Sequence, residues 1–257
     1  MGDQVKQLGM VLSSQPIAEY DKRLVILTRD RGKIAAFARG ARKVKSPLLA
    51  CSQTFAFGMF TLYEGKNSYN VQSAEITQYF PGLHQDWETV CYASYLAEFA
   101  DYYTRENVEA VDVLKLLYQS LRALEKGTID KRLVRYIFEL RMYQYAGEAF
   151  ELFLCVKCHA PQTGGWEPKL FLRRGGLLCP SCIKRMQEEK RAGGDSGNSG
   201  ILLGEAWLYA MRYIVTATIE KLYTFRLSEE ALDAFGSVME EYRRIYVPHS
   251  FHSLDMI

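Results

Sequence analysis

Two cysteine pairs, CVKC at 155–158 and CPSC at 179–182, stand twenty residues apart, and no other feature restricts the fold as tightly. Two-residue spacing lets both thiolates of a pair face one ion from a tight turn, and two such turns complete a tetrahedron. Cys155, Cys158, Cys179 and Cys182 are therefore expected to hold one structural Zn²⁺. Between the pairs, KLFLRRGGLLC reads as two short strands around Arg173-Arg174-Gly175-Gly176, the β-hairpin of a zinc ribbon. Four sulfur ligands leave no open position for water, so the expected role is structural rather than catalytic. CVKCH also matches the C-x-x-C-H signature of haem attachment, but that reading leaves the second pair unexplained. His159 is then expected to be a turn residue. A redox dithiol requires a βαβ context that is missing here, and a zinc deaminase requires an upstream HxE that the chain lacks.

The metal reading agrees with the compartment. The opening MGDQVKQLGMVLSS lacks the basic and apolar regions of a signal peptide, and no apolar run approaches the roughly 18 residues of a membrane span. A cytoplasmic protein is expected, where reducing conditions disfavour structural disulfides. The two remaining cysteines, Cys51 and Cys91, are expected to pack as small hydrophobes.

Upstream, the first eighty residues read as strands. GMVLSS, LVILT, KIAAFA, TFAFGMFTLYEG and SYNVQSAEI are separated by turn residues, with no room for a crossover helix. Five antiparallel strands suit a small closed barrel of the OB type better than an open sheet with two exposed edges. After Pro81-Gly82 the apolar spacing becomes three and four residues, over WETVCYASYLAEFADYY, VDVLKLLYQSLRAL and KRLVRYIFELRMYQYAG. In the last of these, Leu133, Ile137 and Leu140 share one face while Lys131, Arg135 and Glu139 lie away from it. Gly127 and Gly147 are expected helix stops. Helical spacing resumes over EAWLYAMRYIVTATIEKLY and EEALDAFGSVMEEYRRIY. The expected fold class is thus α+β and multidomain. It comprises an OB-fold barrel (1–80), a helical domain in two parts (81–152 and 201–257), an inserted zinc ribbon (153–188) and a mobile loop (189–200).

The formal net charge is only +2, yet cations crowd the barrel: Lys22, Arg23, Arg29, Arg31, Lys33, Arg39, Arg42, Lys43 and Lys45, with Asp30 alone opposing them between Lys22 and Lys45. A basic run is ordinarily a solvated face. Grooves for single-stranded nucleic acid, however, pair cations with aromatic platforms, and OB barrels bind single strands on one face. Phe37, Phe57, Phe60, Tyr63 and Tyr69 supply candidate rings. Lys22, Arg23, Arg39, Arg42, Lys43 and Lys45 are the expected nucleic-acid contacts, with the loop after the third strand following the phosphates.

GMVLSSQPIAEYDKRLVILTRDRGKIAAFARGARKVKSPL resembles the opening of the RecO family of bacterial recombination mediators. The matching residues are Gly9, Glu19, Thr28, Gly32, Gly40, Ala41, Arg42, Lys43, Lys45 and Ser46. YIFELRMYQYAGEAFELFLCVKC resembles the family's helix leading into the first cysteine pair, through Glu139, Leu140, Gly147 and Leu152, and FHSLDMI loosely matches its ending. The resemblance implies an OB-fold, a helical domain and a zinc ribbon. It also implies a non-enzymatic, nucleoid-associated role in DNA repair and recombination: binding single- and double-stranded DNA, annealing complementary strands, and helping RecA load onto DNA coated by single-stranded DNA-binding protein. RecR and that coating protein are the implied partners. A partner surface is expected on the helical domain at Arg132, Arg135 and Arg141, where aromatics and cations occur together.

No GxxxxGK[ST], HExxH or GxSxG motif supports catalysis. Two alternatives remain: a zinc-ribbon interaction adaptor without direct DNA binding, and a nucleic-acid-modifying enzyme with an unmarked carboxylate site.

Overall fold

The computed structural model describes residues 3–66, 68–163, 165–191 and 200–257, and most of the loop expected at 189–200 lies outside these. The described residues divide into two compact units: Met1–Phe138 with Ser250–Ile257, and Glu139–His249.

The first unit opens with five strands, β1 (Gln4–Ile17), β2 (Asp21–Thr28), β3 (Gly32–Ala38), β4 (Phe57–Glu64) and β5 (Tyr69–Gln78). They close a barrel in the order β1-β2-β3-β5-β4, in which β1 pairs back onto β4. All neighbours are antiparallel except β3 and β5. This is the OB-fold topology that the strand pattern predicts. Closure depends on the length of β1. Gln4–Met10 pairs with β4, Gly9–Ile17 pairs with β2, and an irregularity between Val11 and Ser13 bends the strand from one partner to the other. Alternation sets the faces: Ile34, Ala36 and Ala38 of β3 are buried, while Lys33, Ala35 and Phe37 between them are only partly covered.

The connection from β3 to β4, residues 39–56, is a series of tight turns rather than an open flap. Lys43 N–H donates to Gly40 O (3.1 Å), Ser46 N–H to Lys43 O (2.9 Å) and Leu49 N–H to Ser46 O (3.2 Å). Its Ala41, Leu48, Cys51 and Ala56 join the barrel core with Ile26 and Phe60, so the segment closes the barrel with its apolar side inward. Burial pushes the Cys51 thiol up, in keeping with its role as a small apolar group.

Three helices follow: α1 (Trp87–Tyr103), α2 (Val111–Lys126) and α3 (Lys131–Tyr145). Asp86 caps α1, accepting from the amides of Glu88 (2.9 Å) and Thr89 (3.3 Å). The Lys131 ammonium at 2.8 Å, together with the Thr89 hydroxyl, holds the Asp86 carboxyl well below the usual carboxylate range. A depressed carboxylate contributes its full stability above the unfolded value of about 3.9 and loses it as pH falls from there through the folded value. Asp86→Asn is therefore expected to lower the melting temperature more near pH 6 than near pH 2, where part of the contribution has already been lost. Equal losses at the two pH values, measured by thermal denaturation, would refute that coupling. The chain terminus returns to this unit, where Phe251 meets the rings of Tyr95 (5.3 Å) and Phe99 (5.2 Å).

Helix α3 departs from expectation. Every residue from Leu133 to Tyr143 is buried, including Arg141 and the Arg135 and Glu139 that spacing sets away from the apolar face. The helix ends in a left-handed turn at Gly147 (φ 74°): Glu148 N–H reaches Tyr143 O (2.7 Å) and Gly147 N–H reaches Gln144 O (3.1 Å).

The second unit holds a four-stranded sheet of order β6-β8-β7-β9, formed by β6 (Glu151–Cys155), β7 (Lys169–Phe171), β8 (Gly176–Leu178) and β9 (Ile201–Leu202). The expected hairpin is present as β7 and β8, with Leu170 opposite Leu177 and Gly175 (φ 70°) in the turn. Helices α4 (Pro180–Arg191), α5 (Glu205–Thr216) and α6 (Glu229–Tyr246) complete the unit. From α6, Tyr242 meets Tyr143 and Phe150 edge to face, and the Tyr246 hydroxyl donates to Leu172 O (2.9 Å), tying the hairpin to the helix. Among the described residues no helix is long and apolar enough to cross a membrane.

Candidate nucleic-acid interface and metal centre

The six expected cations of the barrel gather around the turn between β1 and β2 and the loop after β3. Arg42 donates from its backbone to Tyr20 O (2.9 Å) and from Nη1 to Ala18 O (3.3 Å) and Glu19 O (3.2 Å), fastening loop to turn. The Lys43 ammonium lies 5.5 Å from the centre of the Tyr20 ring. Lys22 donates to Ser52 O (3.2 Å), and its pKa is lowered by burial and by the Arg42 charge beside it. Arg23, Arg39, Arg42, Lys43 and Lys45 are exposed. The partners of Lys22, Arg42 and Lys43 are carbonyls and a ring, so the positive charge is held in place without being neutralised. The other barrel cations are paired differently: Arg29 with Asp30 (2.9 Å), Arg31 with Glu64 (2.7 Å) and Lys33 with Asp101 (3.1 Å).

The fold also brings in acids that a window from Lys22 to Lys45 leaves out. Asp21 accepts from the Gly40 amide (2.7 Å), and Glu19 hydrogen-bonds the Tyr20 hydroxyl, raising its pKa. Asp21 is thus part of the loop's anchorage, at the junction of the turn and the basic segment.

The candidate rings separate by strand parity. Phe60 and Tyr69 belong to the barrel core, and Phe57 stacks on Tyr118 of α2 (4.8 Å). Tyr63 is 44% exposed and Phe37 half-buried on the outer surface. Register places Arg23 opposite Phe37, Phe37 beside Asn70, and Asn70 opposite Tyr63, giving one outer row across β2, β3, β5 and β4. Tyr20, 45% exposed, adds a ring that the sequence reading passed over. Its signal was its place in the turn, directly before the basic strand. Asn70 was detectable as the outward position between buried Tyr69 and Val71.

Of the three arginines expected on a partner surface, two are buried. Arg132 is half-buried and forks onto Asp130 (2.9 Å). Arg135 is only 5% exposed, with its guanidinium 5.1 Å from the Tyr95 ring centre. Arg141, 9% exposed, donates Nη1 to Ile214 O (3.1 Å) and Ala217 O (3.2 Å). It thereby caps the C-terminus of α5, which ends at Thr216, short of the Tyr223 to which the helical spacing extends.

The cysteine tetrad assembles as its spacing predicts. The Sγ atoms of Cys155, Cys158, Cys179 and Cys182 all lie within 4.8 Å of one another, close enough to share one metal ion. Cys158 and Cys179 sulfurs are 3.6 Å apart, near the roughly 3.8 Å edge of a tetrahedron with 2.3 Å metal–sulfur bonds. Burial opposes ionisation of Cys155, but amides of Cys179, Cys158 and Lys157 outweigh it and bring the thiol down to about 6. Arg185 Nη2 lies 3.1 Å from the Cys182 sulfur. Ready-made donors for thiolate charge fit a metal centre better than four neutral thiols. His159 stays outside the tetrad, in a left-handed turn (φ 59°), with its amide on Cys155 O (2.8 Å).

Residues 1–80 match the family model described as recombination protein O N terminal, and residues 84–255 match the one described as recombination protein O C terminal. The chain belongs to the recombination protein O family. Among its relatives is the DNA repair protein RecO of Acetivibrio thermocellus, 28% identical over 98% of this chain and 96% of that one. The DNA repair protein RecO of Alkaliphilus metalliredigens is likewise 28% identical, covering 98% of both chains. The DNA repair protein RecO of Caldicellulosiruptor bescii is 34% identical over 69% of this chain and 72% of its own. RecO membership places the chain among proteins of DNA repair and recombination, with its OB-fold and its cysteine tetrad in the two matched regions.

Proposed function

We propose that the chain is a recombination mediator that binds DNA through the OB-fold, anneals complementary single strands, and helps RecA load onto DNA coated by single-stranded DNA-binding protein, with RecR as a further partner. The observation that carries this reading is the cluster of cations at Lys22, Arg23, Arg39, Arg42, Lys43 and Lys45, of which Lys22, Arg42 and Lys43 are held by carbonyls and a ring rather than by carboxylates, beside the outer row of Phe37, Asn70 and Tyr63. Cations follow phosphates while rings stack on unpaired bases, the combination used for single strands. In this reading Cys155, Cys158, Cys179 and Cys182 hold Zn²⁺, which supplies a closed, structural cross-link and no reactive position. If the coating protein docks on α3, Arg132 is the one of the three expected arginines with surface to offer.

Single-strand affinity falls with salt by about 0.7 log units per log unit for each neutralised phosphate. With about five cations engaged, raising salt from 50 to 200 mM should weaken binding roughly 100-fold. Arg23, Arg39 and Lys45 are exposed and anchor nothing, so changing all three to Ala should reduce the slope by about 2 and slow annealing without unfolding the barrel. Salt-titrated binding to a fluorescent oligonucleotide, with annealing followed in parallel, tests this. A triple variant with the wild-type slope and rate would leave these cations as a solvated face and favour the adaptor reading.

A further inference from the structure

The zinc-ribbon region carries a second concentration of positive charge. Between Cys155 and Glu188 the sequence holds six Lys or Arg against two Glu. A groove of about 320 Å³ runs over this region, with Lys157, Arg173 and Arg174 on its walls and Val156, Leu178 and Met186 among its apolar lining. No carboxylate lines it among the described residues. Arg173 and Arg174 are exposed at the turn of the β7–β8 hairpin, and neither forms an ion pair among the described residues. In the barrel, by contrast, the hairpin cations Arg29 and Arg31 are each matched to a carboxylate. Arg185 faces the Cys182 sulfur, so the charge offered to the groove is that of Arg173 and Arg174, with Lys157 also on its wall.

Their placement is rigid. Lys157 sits within the first cysteine turn, and its amide serves the Cys155 sulfur. The two arginines occupy a short helical turn closed by Gly175 N–H on Leu172 O (2.9 Å), and Leu172 O also receives the Tyr246 hydroxyl. Arg173 and Arg174, held at a small surface beside an apolar lining and without an ion pair among the described residues, suit a polyanion backbone. Their charge would be met by phosphates, with release of counterions.

We infer that this groove is a second nucleic-acid site, which takes the phosphate backbone of a second DNA strand while the barrel holds the first. The inference rests on the barrel reading above. It gives annealing a physical route: two strands held on one chain meet at a raised effective concentration.

The test uses the full-length, metal-containing protein and two non-complementary oligothymidylates, one immobilised and one fluorescent. Wild-type protein loaded on the first strand should capture the second. R173A/R174A should lower the salt slope of capture by about 1.4, at 0.7 per lost phosphate contact, and weaken capture roughly 10-fold at low salt. Metal content and melting temperature should be unchanged, and R173K/R174K should restore capture, since charge rather than fork geometry is required. Wild-type capture by R173A/R174A overturns the inference. So does unaltered DNA capture combined with lost binding of polyglutamate, which would make the groove a dock for acidic protein. The barrel reading fails separately: wild-type affinity for the first strand in R23A/R39A/K45A sinks that reading whatever the ribbon variant does.

Discussion

Cys179→Ser is expected to abolish metal binding at the tetrad and with it the order of the ribbon. The four sulfurs surround a space suited to one ion, and the local core is small: Phe171, Leu178 and Met186 with three of the cysteines themselves. A sheet whose strands are two, three, three and five residues long has little else to hold it. In isolated zinc-finger peptides, metal binding contributes about 10–16 kcal/mol, largely as folding free energy. Serine keeps the backbone amide that Cys179 gives to the Cys155 sulfur (3.4 Å), so the substitution removes a ligand and leaves that hydrogen bond available. Metal analysis should give close to one zinc per wild-type chain and almost none for the variant. Limited proteolysis should open new cleavage within residues 155–188 while the barrel stays resistant. A wild-type preparation free of metal, with an equally resistant ribbon, would end the zinc assignment.

Gly32→Ala is expected to be the most damaging small change in the barrel. Gly32 ends the β2–β3 turn at φ 60°, a left-handed conformation in which a side chain is strained. The space is also taken: an added Cβ would lie 2.1 Å from Arg105 O and 2.4 Å from Val108 O. Those carbonyls belong to a segment bound to the turn by backbone hydrogen bonds, Asn107 N–H to Arg31 O (2.9 Å), Ala110 N–H to Arg29 O (2.9 Å) and Lys33 N–H to Arg105 O (3.2 Å). Relieving the clash means moving that ladder. The combined strain and displacement should cost about 3 kcal/mol or more, a fall in melting temperature of roughly 10 °C. A shift below about 2 °C would show that the segment yields freely.

Much of the fold was legible because strand and helix periodicity are local properties. The alternation of β3, the helical spacing of α1 and α6, and the C-x₂-C pairs each identify their element from a short window. What escaped depends on partners distant in sequence. Strands β6 and β9 are too short for a pattern of their own and exist because Glu151 and Leu202 find β8 and β7. Arg135 and Arg141 look like surface residues by type, yet a tyrosine face and the carbonyl end of α5 receive them inside. The candidate DNA surface was legible in part: its cations form a run in sequence, whereas the row through Arg23, Phe37, Asn70 and Tyr63 appears only once the strands are in register.

The segment between β3 and β4 has a consequence for how such a protein can vary. Its inward positions, Ala41, Leu48 and Cys51, fill the barrel, while its outward ones, Lys43 and Lys45, touch none of that filling. Charge can therefore be added or removed at the outward positions with little penalty in folding, and substitutions at the inward ones are constrained by volume whatever their charge. In the proposed reading, affinity for DNA would then be adjustable one residue at a time, on a scaffold that need not be redesigned for each setting.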